Sequence, residues 1–379
     1  MNELTGKPEP VSSIYVHFPF CEAKCHYCDF FSLPAAQIKS AERARIYSAI
    51  DSELTFFRSQ LSTSLKTIFL GGGTPSLVPV DVIRSLMDKL GHAPDTEITM
   101  EANPSSIDLN AAHAWRSAGI NRISMGTQAL NDDRLAWLGR VHTKSEVFEA
   151  LETLFQAGFE RVNTDYIVGV PGQTVVMIES ELNELLSRFP HIQHISAYLL
   201  TLKPSNPKFD QLPCEDEQLA HLRSVSAVLK NFGFDQYEIS NFARKGARAL
   251  HNENYWLGGG YLGIGPSAHS YCPIRRIRTK NWASLGKYCD LIEQGTAPVE
   301  WTETLTLEQE RLEYLMLRLR RSAGVNFQEY RARFHRDLYA EQKTWIDLWQ
   351  TKGLCTVGDS LKLTADGFFL SDQILNNLS

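Results

Sequence analysis

Three of the chain's seven cysteines fall inside HFPFCEAKCHYCDFF, residues 17–31, spaced as Cys21-x3-Cys25-x2-Cys28. Thiolates are ligands for soft and borderline metals, and three on one short loop are too dense to be unrelated buried thiols. Two chemistries fit. A Cys3His zinc site would use His17 or His26 to complete its tetrahedron. An iron–sulfur cubane normally takes four cysteines, so three would leave one iron open to an exogenous chelator. Other reactive or coordinating groups end apolar runs downstream: GGGTP at Gly71–Pro75, Glu101 in MEANP, Gln128 in SMGTQ and Asp165 in NTDYIVGVPGQT, with Arg140 in LGRVH. The glycines allow close approach of backbone to a ligand, the carboxylates accept from ammonium and hydroxyl groups, and arginine pairs with a carboxylate bidentately. His251 in HNENYW offers an imidazole beside the flat rings of Tyr255 and Trp256, and His269 in GPSAHSY is a second candidate; Cys272 and Cys289 are expected to be plain thiols.

The elements that must hold these groups can be read from periodicity. Six short apolar or β-branched runs, IYVHFP, TIFLGGG, EITMEANP, RISMGTQ, RVNTDYIVGVPG and HISAYLLTLKP, begin near residues 14, 67, 97, 122, 161 and 193. Each interval can hold a crossover helix, which predicts a parallel sheet with right-handed connections, a partial (β/α)6 barrel. VPVDVIRSLMDKLG reads as one such helix, with Pro79 near its start and Gly91 past its end. Ligands in such a barrel gather at the C-terminal ends of the strands, where the motifs above fall.

After about residue 300 the pattern turns helical: a helix closed by Gly324, a second behind Asn326, a third over YAEQKTWIDLWQTKG, and a hairpin turning at Gly358-Asp359. This predicts a smaller, winged-helix-like C-terminal domain. The expected division is 1–245 for the barrel, 246–300 for the HNxxYW segment and its connection, and 301–379 for the helical domain.

Composition bounds the reading. With 379 residues, 43% hydrophobic, 22% charged and net charge −6, the chain suits a globular protein of two units and not a general nucleic-acid binder. The arginines of the winged-helix-like part alternate with glutamates, which favours packing or a protein partner over DNA. No apolar run is long enough for a bilayer, and an odd number of cysteines in a large chain suits a reducing compartment, so a cytoplasmic location is expected.

The cluster spacing after strand one of a six-unit barrel resembles the motif of the radical S-adenosylmethionine (SAM) superfamily. That resemblance implies a [4Fe-4S] cluster on Cys21, Cys25 and Cys28 whose open iron is chelated by SAM, and reduction of SAM to a 5′-deoxyadenosyl radical. Within the superfamily, YVHFPFCEAKCHYCDF, FLGGGTPS, MEANP, RISMGTQ, LGRVHT, DYIVGVPGQT, HNENYW and LGIGPSAHSY look like the branch of oxygen-independent coproporphyrinogen III oxidase, over nearly the whole chain. By position, the branch's cluster and SAM contacts carry over to Tyr15, Tyr27, Gly72, Gly73, Thr74, Glu101, Gln128, Arg140 and Asp165. Two departures matter: the oxidase's fourth cysteine, two beyond the third, is Phe30 here, and only twenty residues precede Cys21. HNENYW instead matches the H-N-x-x-Y-W signature of HemW-type haem chaperones. The resemblance thus implies haem as cargo with His251 as its ligand, and acceptor haemoproteins, membrane-bound respiratory enzymes among them, as partners. Peripheral membrane contact and a homodimer stay open. The competing readings are a decarboxylating coproporphyrinogen III oxidase and a zinc-stabilised binding module.

Overall fold

The computed structural model describes residues 10–378. The six predicted runs are strands β1 (Ser13–Phe18), β2 (Thr67–Gly72), β3 (Glu97–Ala102), β4 (Arg122–Gln128), β5 (Arg161–Val168) and β6 (His194–Leu199). They lie side by side in sequence order and pair in parallel. Parallel strands covered on both faces must be almost wholly apolar, and Ile14, Val16, Ile68, Leu70, Ile98, Met100, Ile123 and Met125 are fully buried. The outer layer is α1 (Ser40–Phe57), α2 (Val80–Leu90), α3 (Leu109–Ser117), α4 (Asp132–Trp137), α5 (Lys144–Gln156), α6 (Val175–Arg188) and α7 (Glu215–Asn231). Local chemistry sets their ends. Thr143 and Glu146 form a reciprocal capping box at the start of α5, and Gly91 (φ 60°) stops α2 in a conformation that glycine adopts without strain.

Three further strands extend the sheet beyond the prediction. β7 (Asp235–Gln236) and β8 (Asn241–Ala243) add antiparallel to the β6 edge, while β9 (Leu262–Ile264) pairs in parallel with β1 on the other edge. The segment expected as a connection therefore supplies a barrel strand, and its Leu262, Ile264, Leu285, Tyr288 and Cys289 join the main core. It also supplies α8 (Leu250–Trp256) and a three-stranded antiparallel sheet of β10 (His269–Cys272), β11 (Ile277–Asn281) and β12 (Val299–Thr304), interrupted by α9 (Leu285–Glu293).

The tail has its own core, around Leu315, Leu319, Tyr330, Ile346, Trp349 and Leu361. Its order is α10 (Leu307–Leu319), β13 (Val325–Asn326), α11 (Phe327–Phe334), α12 (Leu338–Thr351), then the hairpin β14 (Cys355–Val357) and β15 (Ser360–Leu363), closed by α13 (Ala365–Phe369) and α14 (Ser371–Asn376). Three helices followed by a hairpin is the order the sequence predicts, and the short strand β13, which the sequence did not show, pairs with β15. Asn326 caps α11 by accepting from the Glu329 amide at 2.9 Å. Among the described residues no helix is long and apolar enough to cross a membrane.

One buried carboxylate ties the β9–α9 segment to the barrel. Glu53 on α1 is fully buried and accepts from the Gly265 amide (2.7 Å), Asn281 Nδ2 (2.6 Å) and the Tyr288 hydroxyl (2.5 Å). Burial raises its pKa to about 7 against the opposing effect of those donors. The folded chain thus binds a proton that the unfolded chain releases near the ordinary carboxylate range, so Glu53 makes stability fall as pH rises through about 7. The melting temperature of the wild type is expected to decline from pH 5 to 8, and Glu53→Gln to flatten part of that slope. Glu53→Ala orphans three donors and should cost about 3 kcal/mol in denaturant unfolding; unchanged stability would contradict this account.

Candidate functional site

The loop after β1 carries the cysteines and is fastened at several points. Phe20–Cys21 pairs with Leu33–Pro34, so residues 21–32 close into an ear on the barrel rim. Lys24 Nζ donates to Ser32 Oγ (2.9 Å), and Asn206 Nδ2 donates to the His26 carbonyl (3.0 Å). His26 Nε2 donates to the Trp137 carbonyl at 2.7 Å, its ring edge-on to that indole at 5.1 Å. His17 donates from Nε2 to the Phe31 carbonyl (2.8 Å) and accepts at Nδ1 from the Tyr15 hydroxyl (3.0 Å). Burial pushes its pKa down to about 4, which keeps the ring neutral. His17 has both ring nitrogens engaged, and His26 spends Nε2 on the Trp137 carbonyl, so neither is set as the fourth ligand of a Cys3His zinc site in this conformation. Among the described residues no three His, Cys, Asp or Glu side chains meet at one ion position. A cubane asks for less, because each thiolate binds its own iron.

Beside the ear lies a cavity of about 150 Å³, lined among others by Cys21, Cys25, Cys28, Gly72, Gly73 and Thr74. Tyr27, Glu101, Gln128, Arg140 and Asp165 share the same wall. Of the residues singled out in the sequence, these are brought together; Tyr15 stands behind the wall and His251 elsewhere. Backbone approach explains the glycines. A Cβ on Gly73 would sit 2.4 Å from the Phe20 carbonyl oxygen, and Gly72 (φ 110°) faces the His17 ring at under 3 Å from where a Cβ would lie. Gln128 holds a left-handed φ of 64° at the end of β4, strain of the kind that aims a side chain at a ligand.

The electrostatics call for a cation. Glu101 accepts from the Gly72 amide at 3.1 Å, and Asp165 accepts from Asn163 Nδ2 at 2.8 Å. Burial first, then the Asp165 charge, lifts Glu101 to about 8; burial also lifts Asp165. Arg140 balances the cysteine side, donating to Cys25 Sγ (3.5 Å) and from NH2 to Asn103 Oδ1 (2.5 Å) and the Gly126 carbonyl (3.3 Å). Thiols, an arginine, a glycine-lined backbone and two cation-seeking carboxylates suit an iron–sulfur cluster beside a zwitterionic, sulfonium-bearing nucleoside.

Asn103, Ser124 and Gly126 line the cavity as well and were not carried over from the sequence. Their signal was partial. Glu101 and Asn103 stand two apart at the end of β3 and so share a side, while on β4 a register shift between Met125 and Gln128 interrupts the alternation, and Ser124, Gly126 and Gln128 all still line the cavity. Asn103 links two motifs, donating to Thr74 Oγ1 at 3.1 Å while accepting from Arg140.

His251 lies at the opposite end of the barrel. It is 1% exposed, with Nδ1 hydrogen-bonded to Thr67 Oγ1 (2.8 Å) and Nε2 to the Tyr255 hydroxyl (2.8 Å), so neither nitrogen is free for a haem iron in this conformation. Burial lowers its pKa to about 3. His269, on β10, is exposed. Cys272 is half-buried; Cys289 is buried, and burial raises its thiol to about 11, as expected of a plain thiol.

Barrel, ear and cavity together define a radical SAM domain, and the family model of the Radical SAM superfamily matches residues 15–185. The heme chaperone HemW of Bacillus subtilis is 32% identical over 96% of this chain and 98% of its own length. The mitochondrial radical S-adenosyl methionine domain-containing protein 1 of Bos taurus is 33% identical over 97% of this chain and 87% of its own. Among solved structures, coproporphyrinogen III oxidase (HemN) of Escherichia coli superposes with a TM-score of 0.82, covering 98% of this chain and 90% of that one; at 21% identity it shows the fold. The chain belongs to the HemW-type family of radical SAM proteins.

Replacing Cys21, Cys25 or Cys28 singly by Ser is expected to remove the brown charge-transfer absorption of anaerobically reconstituted protein while leaving its circular dichroism intact. Full retention of that absorption in any one variant would contradict the ligand set, and a colourless, zinc-loaded wild type would contradict the cluster.

Proposed function

We propose that this chain is a haem chaperone, binding haem and passing it to acceptor haemoproteins in the cytoplasm. It carries an open-site [4Fe-4S] cluster on Cys21, Cys25 and Cys28 and SAM in the adjoining cavity. The observation that carries the reading is the end-to-end likeness to a heme chaperone, 98% of whose length this chain covers. When bound, the cluster and SAM supply one-electron chemistry. The chain's own part is to hold and orient: Glu101 and Asp165 toward the ammonium, sulfonium and ribose hydroxyls, Arg140 toward the carboxylate, Gly72, Gly73 and Thr74 along the backbone, and Tyr27 as cover.

Haem iron takes an imidazole. Of the two histidines in question, His269 is the exposed one, directly across from Lys280, whose ammonium pairs with Glu300 (2.9 Å) and would exchange that partner for a haem propionate; Trp301 continues the same row of the sheet. His251 would first have to give up two hydrogen bonds.

A decarboxylating oxidase is the second reading, favoured by the superposition on HemN. Against it stands Phe30, 69% exposed on the ear where the oxidase has its fourth cysteine. Two anaerobic assays on the reconstituted protein separate the readings. Haem-loaded protein mixed with the apo form of a b-type haemoprotein is expected to move the Soret band to the acceptor's position, and coproporphyrinogen III with SAM and a reductant to stay unconverted. Protoporphyrinogen formation, or haem retained against a competent acceptor, would overturn the proposal.

A further inference from the structure

The HNxxYW segment builds the floor of the barrel. Helix α8 lies across the N-terminal ends of the strands. Thr67, Glu97 and Arg161 are the first residues of β2, β3 and β5. Thr67 bonds the His251 ring; Glu97, 1% exposed, accepts from the Leu250 amide (3.1 Å), the His251 amide (3.0 Å) and Arg161 (2.5 Å). A neutral imidazole has one N–H and one lone pair, and two hydroxyls satisfy both.

From that floor an aromatic column rises through the barrel. The His251 ring stacks on Phe69 (centroids 5.1 Å, planes 29° apart), and Phe69 stacks on Tyr15 (6.0 Å, 26°). Tyr255 meets His251 edge-on at 4.8 Å. At the top the column forks. A Cβ on Gly71 would lie 2.9 Å from both the Phe69 and Tyr15 rings and 3.2 Å from Glu101 Oε2, so the missing side chain lets these three groups crowd one point. Tyr15 also donates to His17, which donates to the Phe31 carbonyl at the end of the cysteine ear. Close-packed interiors shift by discrete repacking, which lets a contiguous column of this kind carry a displacement from end to end.

We propose that His251 is a positioning residue for the SAM cavity: through Phe69 it sets Tyr15, and Tyr15 sets Glu101 on one side and, through His17, the ear on the other. The inference rests on the assignment of the cavity to SAM and is independent of haem transfer. In it, the signature histidine serves the nucleoside site from the far end of the barrel.

The test compares His251→Ala and Phe69→Leu with Glu253→Ala, in reconstituted full-length protein. Glu253 lies on the same helix but turns outward to Arg248 (3.2 Å) and Arg321 (3.5 Å), so it loosens α8 without touching the column. The readouts are SAM affinity by calorimetry, cluster absorption, melting temperature and haem titration. His251→Ala and Phe69→Leu are expected to weaken SAM about tenfold, the loss of roughly one well-placed polar contact. Their cluster absorption should persist, and Glu253→Ala should lower the melting temperature while leaving SAM affinity as in the wild type. His251→Ala should keep the wild-type haem spectrum. SAM affinity within twofold of wild type in both column variants overturns the proposal, as does an equal loss in Glu253→Ala. If His251→Ala does not fold, Phe69→Leu decides. A wild type that takes up no haem sinks the chaperone reading and leaves the SAM comparison decisive, whereas a wild type that binds no SAM sinks the inference itself.

Discussion

Two carboxylates, Glu101 and Asp165, face one cavity of the barrel, where burial and their mutual repulsion oppose ionising both. Burial and mutual repulsion hold Glu101 at about 8, Arg122 offsets only part of the upward push on Asp165, and Arg140 on the same cavity wall is engaged with Cys25, Asn103 and Gly126. A buried pair of like charges is costly unless a ligand brings the compensating charge. The same cavity ends at three thiols on a loop fastened from both sides. In the reading proposed above, this is where a positively charged nucleoside and a cluster would be neighbours, and the features around it suit that adjacency.

The scaffold explains why that place is stable. Parallel strands fix the Cα positions of Gly72, Glu101, Gln128 and Asp165 relative to one another through the ladder of backbone hydrogen bonds. The ear has no such ladder along its length and is held by side-chain contacts through His17, Lys24, Asn206, His26 and Asp29. Polar side chains then couple the two: Asn103 joins the glycine loop to Arg140, and Arg140 reaches Cys25.

Much of this was legible in the sequence because buried parallel strands read as unbroken apolar runs and cluster ligands read as spacing. Helix caps made the C-terminal unit legible in part: Asn326 marks the start of α11 by local chemistry alone, whereas the helix expected to close at Gly324 already ends at Leu319 with Arg320 as its cap, and Gly324 turns the chain into β13. What escaped was non-local. β9 is three residues inside a glycine-rich stretch, and only its pairing with β1 makes it a strand. His251 meets Thr67 and Glu97, each more than 150 positions away, so nothing near HNENYW shows that the segment faces inward. A histidine flanked by aromatics reads as a ligand, and the fold shows how the same residues pack as a floor. Asn103, Ser124 and Gly126 escaped for a different reason: they stand two residues from Glu101 or within the same short motif as Gln128, and nothing in their own chemistry marks them as ligand-facing.

The most direct measurement is electron–nuclear double resonance on the reduced, reconstituted protein with SAM labelled at its amino nitrogen and its carboxylate oxygens. The account predicts hyperfine coupling of both labels to the cluster, because the chain supplies three thiolates and leaves one corner for the nucleoside. Saturating labelled SAM with no coupling from either position, or a cluster whose fourth corner is held by a side chain of this protein, would contradict it.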